Sequence, residues 1–226
     1  ISCLSAYVIQ TMDSSWPTAL PDIVSLIQPE KLPHLPPSRV IYALLQILTS
    51  IPEDFNTLHV DKTKRIAVRA ELQKHAQSVL FIVNKVLSED NISDNITQIC
   101  SKCFAKWATG LGTLVLCENH SNIMAMILNA VCNENTCHDA VEAIVDIYTS
   151  PYMEKYPKLV LQIVEQMSLG LESVIVKAGF DSNLDFCRDL YMLFIQIAES
   201  HTRLLLDSLI DTPAYTNAIL KLLQVI

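Results

Sequence analysis

The chain has 226 residues, half of them hydrophobic and 18% charged, with a net charge of −8. That composition excludes disorder over its bulk, since there is enough apolar surface to bury a sizeable core. The acidic balance argues against nucleic acid, whose phosphates demand a basic surface, and no apolar run reaches the roughly 18–20 residues of a membrane span. Seven cysteines, an odd number scattered among apolar neighbours, suit a reducing compartment better than a disulfide framework. With no charged segment ahead of an apolar stretch, and with Ile1 already inside a periodic pattern, the sequence reads as a piece of something longer.

Period 3.6 dominates and period-two alternation hardly persists, so the spacing predicts about ten helices and no sheet. The first covers 1–12. Pro17 is expected at the first position of the second, which carries Ala19, Ile23, Leu26 and Ile27 on one face. The proline-rich "QPEKLPHLPP" follows, and Ser38 is expected to cap a third helix bearing Ile41, Leu44, Leu45 and Leu48. The fourth is expected over 64–88, with an apolar stripe of Leu72, Ala76, Val79, Leu80, Val83 and Leu87. Ser93 is expected to cap the fifth, and the sixth and seventh are expected over 121–133 and 136–148. The eighth is read from Pro157 to Gly179. The ninth is read over 183–206, with Leu184, Cys187, Tyr191, Phe194, Ala198, His201 and Leu205 in a row. Thr212-Pro213 opens the tenth.

Grouped in pairs, these helices recur at about 45 residues, the interval of a HEAT or armadillo unit. The pairs are 1–28, 38–88, 92–133, 136–179 and 183–226. A two-helix unit cannot bury its apolar face alone, so neighbours must stack to complete the core. The expected fold is therefore all-α, a right-handed α-α superhelix of about five helix pairs, read as a single solenoid segment of a longer protein.

The motif that invites chemistry is Cys100-x-x-Cys103 in "QICSKCFAKW". Ile96, Ile99, Cys100, Cys103, Phe104 and Trp107 recur at spacings of three and four, which places both thiols on the apolar stripe of the fifth helix. Burial as core is the preferred reading. The rivals are a zinc site completed by Cys132, Cys137 and His138, whose spacing matches no short-paired zinc pattern, and a redox pair, which would need a preceding strand. The six histidines include no pair at i+4, and His201 is expected to end an apolar stripe with a satisfied hydrogen bond. Gly110-Leu-Gly112 lacks the third glycine and the Lys-Ser/Thr of a phosphate-cradling loop. No catalytic residue, metal or cofactor is therefore expected.

What remains is surface. Asp139, Glu142 and Asp146 share one face of the seventh helix, and Gln162, Glu165 and Glu172 lie opposite the apolar stripe of the eighth. A charged stripe is ordinarily a solvated face, but second helices of solenoid pairs line the concave surface, which makes such stripes candidate contacts. Phe81 stands on the polar side of the fourth helix with Glu71, Lys74, Ser78 and Lys85. The candidate partner-binding residues are Glu71, Phe81, Gln162, Glu165 and Glu172.

Several stretches, in order, carry a resemblance: "ILTSIPEDFN" after a helix, "KCFAKW", "DAVEAIVDIYTSP" and "CRDLYMLFIQIAESHTRLLLD". Together they resemble the karyopherin-β nuclear transport receptors of the importin-β superfamily, in the branch that holds importin-13 and transportin-SR, from "LSAYVIQTM" to the C-terminus. The resemblance implies a superhelix of HEAT repeats that binds protein cargo on its concave face. It also implies regulation by the GTP form of the GTPase Ran, passage along nuclear pore proteins, and shuttling between cytoplasm and nucleus in import, with export as a second direction. In that family the Ran contacts lie mainly in the first repeats, which would precede Ile1. The alternative reading is a HEAT scaffold that organises a stable complex, such as a phosphatase regulatory subunit.

Overall fold

Period-3.6 patterning becomes helix among the described residues. The computed structural model describes residues 1–89, 91–113, 121–161, 164, 165, 167, 184–211, 216, 217, 219 and 220, and no strand occurs among them. Among the described residues no helix is long and apolar enough to cross a membrane. The chain divides into two compact units, Ile1–Leu116 and Cys117–Ile226.

In the first unit α1 spans Ser2–Thr11 and buries Ser5, Val8 and Ile9. The Ser5 hydroxyl donates to the Asp54 carboxylate and so ties α1 to the next long helix. Helix α2, Ala19–Leu26, starts two residues later than Pro17 predicts. The cause is Asp22, whose carboxylate accepts from Trp16 Nε1 at 2.7 Å and Thr18 Oγ1 at 2.8 Å, holding 16–18 as a turn. Those two bonds, the indole first, hold the Asp22 carboxyl below its ordinary value. Leu26, expected on the buried face, is 62% exposed; Ala19, Leu20 and Ile23 are the buried set.

A 3-10 turn at Pro29–Lys31 leads to α3, Pro37–Thr57. Pro36 occupies the cap position and Pro37 the first turn, where a missing N–H costs little, so Ser38 is not the cap. Helix α3 also runs through Pro52, which puts "ILTSIPEDFN" inside the helix rather than after it. A proline in a helix interior removes the N–H that would bond the carbonyl four residues earlier, here Leu48. Trp107 Nε1 donates to that same carbonyl at 2.8 Å, from a fully buried side chain.

Helix α4 spans Lys62–Leu87 and is capped by Asp61, which accepts from the Thr63 and Lys64 N–H groups at 2.9 and 3.1 Å. Its predicted stripe, Leu72, Ala76, Val79, Leu80, Val83 and Leu87, is buried, with Val68 and Val86 added. Helix α5 is Asp94–Gly110; Ser93 holds the cap position without a side-chain bond. Helix α3 packs against both α1 and α5, and α4 also packs against α5.

The second unit contains α6, Ser121–Val131, and α7, Cys137–Tyr148. Buried Thr136 closes the turn between them, its hydroxyl donating to the Ala130 carbonyl at 2.7 Å. After a 3-10 turn at Met153–Lys155 the chain is helical at 157–161, 164, 165 and 167, and then in α8, Leu184–Asp211. Helix α7 packs against α6 and α8. The end of the predicted eighth helix at Gly179 and the Thr212-Pro213 start of the tenth lie outside the described residues.

Helix α8 is not one straight rod, because His201 takes φ −129° and ψ 23°, which breaks the helical path. There its Nε2–H donates to the Tyr148 carbonyl at 3.1 Å and its ring meets the Tyr148 ring edge-on at 5.4 Å. The stripe also shifts: Tyr191 is 44% exposed, and Phe186, Leu190, Leu193, Phe194, Ile197 and Leu205 are buried.

Two measurements test these contacts. Trp107→Phe should destabilise by about 1–3 kcal/mol through an orphaned Leu48 carbonyl. In a Pro52→Ala background, where the backbone regains the helical N–H, the same change should cost less, by about 1 kcal/mol; equal costs in urea melts would refute the link. Burial pulls the His201 imidazole below its ordinary 6.5, opposed by the Tyr148 carbonyl and by Glu154. The unfolded chain therefore binds this proton more readily, so stability is complete above about 6.5 and falls as pH drops below it. His201→Gln should flatten the loss of stability between about pH 7 and 5 relative to the parent chain.

Candidate partner-binding surface

Helix α4 carries an open face in the first unit. Ala67, Ala70, Lys74, Gln77, Ser78, Phe81 and Lys85 recur at three and four residues and all are exposed. Phe81, the one aromatic in this row, is 63% exposed, as is Ile66 at the edge of the row. These two lie about 22 Å apart along the axis at 1.5 Å per residue. A large aromatic on a rigid, otherwise small and polar row is the kind of side chain that anchors a partner.

The electrostatics of α4 run against those of the chain. It carries Lys62, Lys64, Arg65, Arg69, Lys74 and Lys85 against one acidic residue, Glu71. Half-buried Glu71 is paired with Lys74 Nζ at 2.5 Å, so this carboxylate already has a cationic partner. Lys64 reaches back to the Gln10 carbonyl at 2.7 Å and to Asp13 at 3.6 Å. The guanidinium groups of Arg65 and Arg69 stand over the ring of buried Phe55 at 5.3 and 5.7 Å, and Arg65 also donates to the Leu58 carbonyl at 2.7 Å. These arginines fix the turn between α3 and α4. The sequence reading missed them; the signal was an arginine pair at i and i+4, the first of them ten residues after Phe55.

Glu165 is half-buried and has an interaction of its own. Gln162 and Glu172 lie outside the described residues. On α7, Glu142 is exposed while Asp139 and Asp146 are half-buried. His138 lies between two carboxylates, 3.5 Å from Glu142 and 3.0 Å from Asp189.

Cys100 and Cys103 are both fully buried on the α5 stripe with Phe104 and Trp107. Desolvation raises both thiols, Cys103 to about 12, so neither supplies a thiolate near neutral pH. Cys137 is buried and Cys132 exposed. Among the described residues no group of three or more His, Cys, Asp or Glu side chains is placed to hold a metal ion. The described surface of α4 carries an exposed aromatic, hydrogen-bonding side chains and a local excess of positive charge.

The family profile described as Exportin 1-like protein matches residues 1–144, which takes in α1 to α6 and much of α7. Importin-13 proteins of Rattus norvegicus, Gallus gallus and Homo sapiens are each 26% identical to the chain over 204 residues. The match covers 90% of this chain and 21% of each relative.

Thiol accessibility checks the cysteine assignment. In the native state a maleimide should modify Cys3 and Cys132, read by peptide mass mapping, while Cys100 and Cys103 should react only on unfolding. Cys103→Ser should cost about 1–3 kcal/mol, because it places a hydroxyl in an apolar stripe.

Proposed function

The chain belongs to the exportin 1-like family, in the importin-13 branch of the karyopherin-β receptors, and from that membership we propose that it is a segment of a nuclear transport receptor. The carrying observation is similarity along 90% of the chain to importin-13 proteins, in a chain whose described fold is all-α and of the helical-solenoid class. The chain spans about a fifth of the length of those relatives, 21%, so the function proposed is that of the whole receptor.

In this reading the protein binds protein cargo on the concave face of a HEAT superhelix and carries it between cytoplasm and nucleus along nuclear pore proteins. The GTP form of Ran changes its cargo affinity. The work is binding, without catalysis, cofactor or metal. The exposed row of α4, with Phe81 towards its C-terminal end, is the proposed cargo contact in the first unit, with Glu71 beside the row. Gln162, Glu165 and Glu172 are proposed contacts in the second. Cargo is held by a few desolvated anchors within a wider polar surface, which suits an exposed aromatic on a long rigid helix.

Capture from cell extract by the full-length receptor, with and without GTP-locked Ran, tests the reading. The set of bound proteins should change when GTP-locked Ran is added. A scaffold would hold the same partner in both, and that result would replace the transport reading. Phe81→Ala in the same receptor should weaken cargo binding by about 1 kcal/mol or more with melting unchanged, since the side chain is exposed.

A further inference from the structure

Away from the α4 row, Ser38, Arg39 and Tyr42 of α3 and Ser93, Asn95 and Ile96 at the start of α5 line an open cleft of about 400 Å³. That lies within the range of about 300–1,000 Å³ usual for ligand pockets. Ile96, only 6% exposed, supplies an apolar wall, and the Tyr42 ring, 37% exposed, a second. The walls belong to α3 and α5, the most closely packed helix pair of the first unit, so they are set before a ligand arrives.

The polar lining is uncommitted. Among the described residues the Arg39 guanidinium, the Tyr42, Ser38 and Ser93 hydroxyls and the Asn95 amide make no hydrogen bond or ion pair within the protein. Ser38, Arg39, Ser93 and Asn95 are open to solvent in whole or in part, so a ligand takes up these groups without breaking an internal bond. Arg39 is the only charged side chain in the described lining. Its planar fork matches a carboxylate in bidentate fashion. Asp94, which neighbours the lining on α5 and has an interaction of its own, weighs against a dianion more than against a single negative charge.

We propose that this pocket binds an acidic peptide segment of a protein partner. Arg39 pairs with an aspartate or glutamate side chain, Ser38, Ser93 and Asn95 hydrogen-bond the peptide backbone, and an apolar side chain next to the acid rests on Ile96 and Tyr42. The pocket uses no residue of the proposed cargo row, so it stands or falls apart from the transport reading.

The test is fluorescence anisotropy of the full chain with a labelled peptide, Gly-Phe-Asp-Phe-Glu-Gly, and its Asn/Gln counterpart. The acidic peptide should bind, and the amide counterpart should bind about tenfold more weakly or worse. Arg39→Glu should lose acidic-peptide binding by about the same factor, and Arg39→Lys should lose less, because it keeps the charge but not the fork. Arg203→Glu, on α8, should bind like the parent. Melting of Arg39→Glu should match the parent, and Arg39→Gln serves by the same criterion if it does not. No binding up to about 1 mM, equal binding of the two peptides, or binding indifferent to both Arg39 changes overturns the proposal.

Discussion

The hydrogen bond from Trp107 Nε1 to the Leu48 carbonyl joins residues 59 apart, at a place where α3 has no hydrogen of its own to give. Pro52 leaves that carbonyl without its helical donor, and an unmet carbonyl in a dry core costs about 1–3 kcal/mol. The indole supplies the donor from α5 while its ring fills the core between the helices. Helix α3 therefore continues past the proline for another turn, and in that turn lie Asp54 and Phe55. Asp54 takes the Ser5 hydroxyl of α1, and Phe55 takes the two arginines of α4. Gly110 completes the approach: a Cβ there would meet Asn56 Nδ2 at 3.0 Å and Pro52 Cβ at 3.5 Å. Much of the first unit thus hangs on one side-chain bond between its two central helices.

The second unit uses a comparable device around Tyr148. Its fully buried hydroxyl donates to the Val160 carbonyl at 3.1 Å, and its own carbonyl receives the His201 N–H. One residue at the end of α7 thereby fixes both the chain that follows and the break in α8. In both units a large ring with one polar handle does two jobs at once, burying apolar area and satisfying backbone that the local helix leaves unmet.

Charge is distributed unevenly along the chain. The chain as a whole carries −8, yet α4 is a basic helix and Arg39 is the single charge in the described lining of its pocket. Net charge describes solubility and long-range steering, whereas a partner meets local charge within a Debye length, about 8–10 Å. An acidic chain can therefore present basic or neutral contacts where partners dock. Exposed Phe81 is the feature of this surface that most resembles a binding anchor.

The sequence by itself determined the all-α class, the apolar stripes of α4 and α5, the burial of Cys100 and Cys103, and the family. Each of these follows from local periodicity or from the order of short stretches, and neither needs knowledge of distant neighbours. Only the tertiary structure decided that α3 passes through Pro52, that α8 breaks at His201, and that Leu26 and Tyr191 face outward. The proposed pocket belongs here too, since Arg39 and Asn95 come to line one pocket only when α3 and α5 pack. The physical reason is range. Periodicity tells which side of a helix is apolar, but how wide a stripe is covered depends on what packs there. A proline or a histidine in a helix is decided by a hydrogen bond to a partner 59 or 53 residues away, which no local pattern contains.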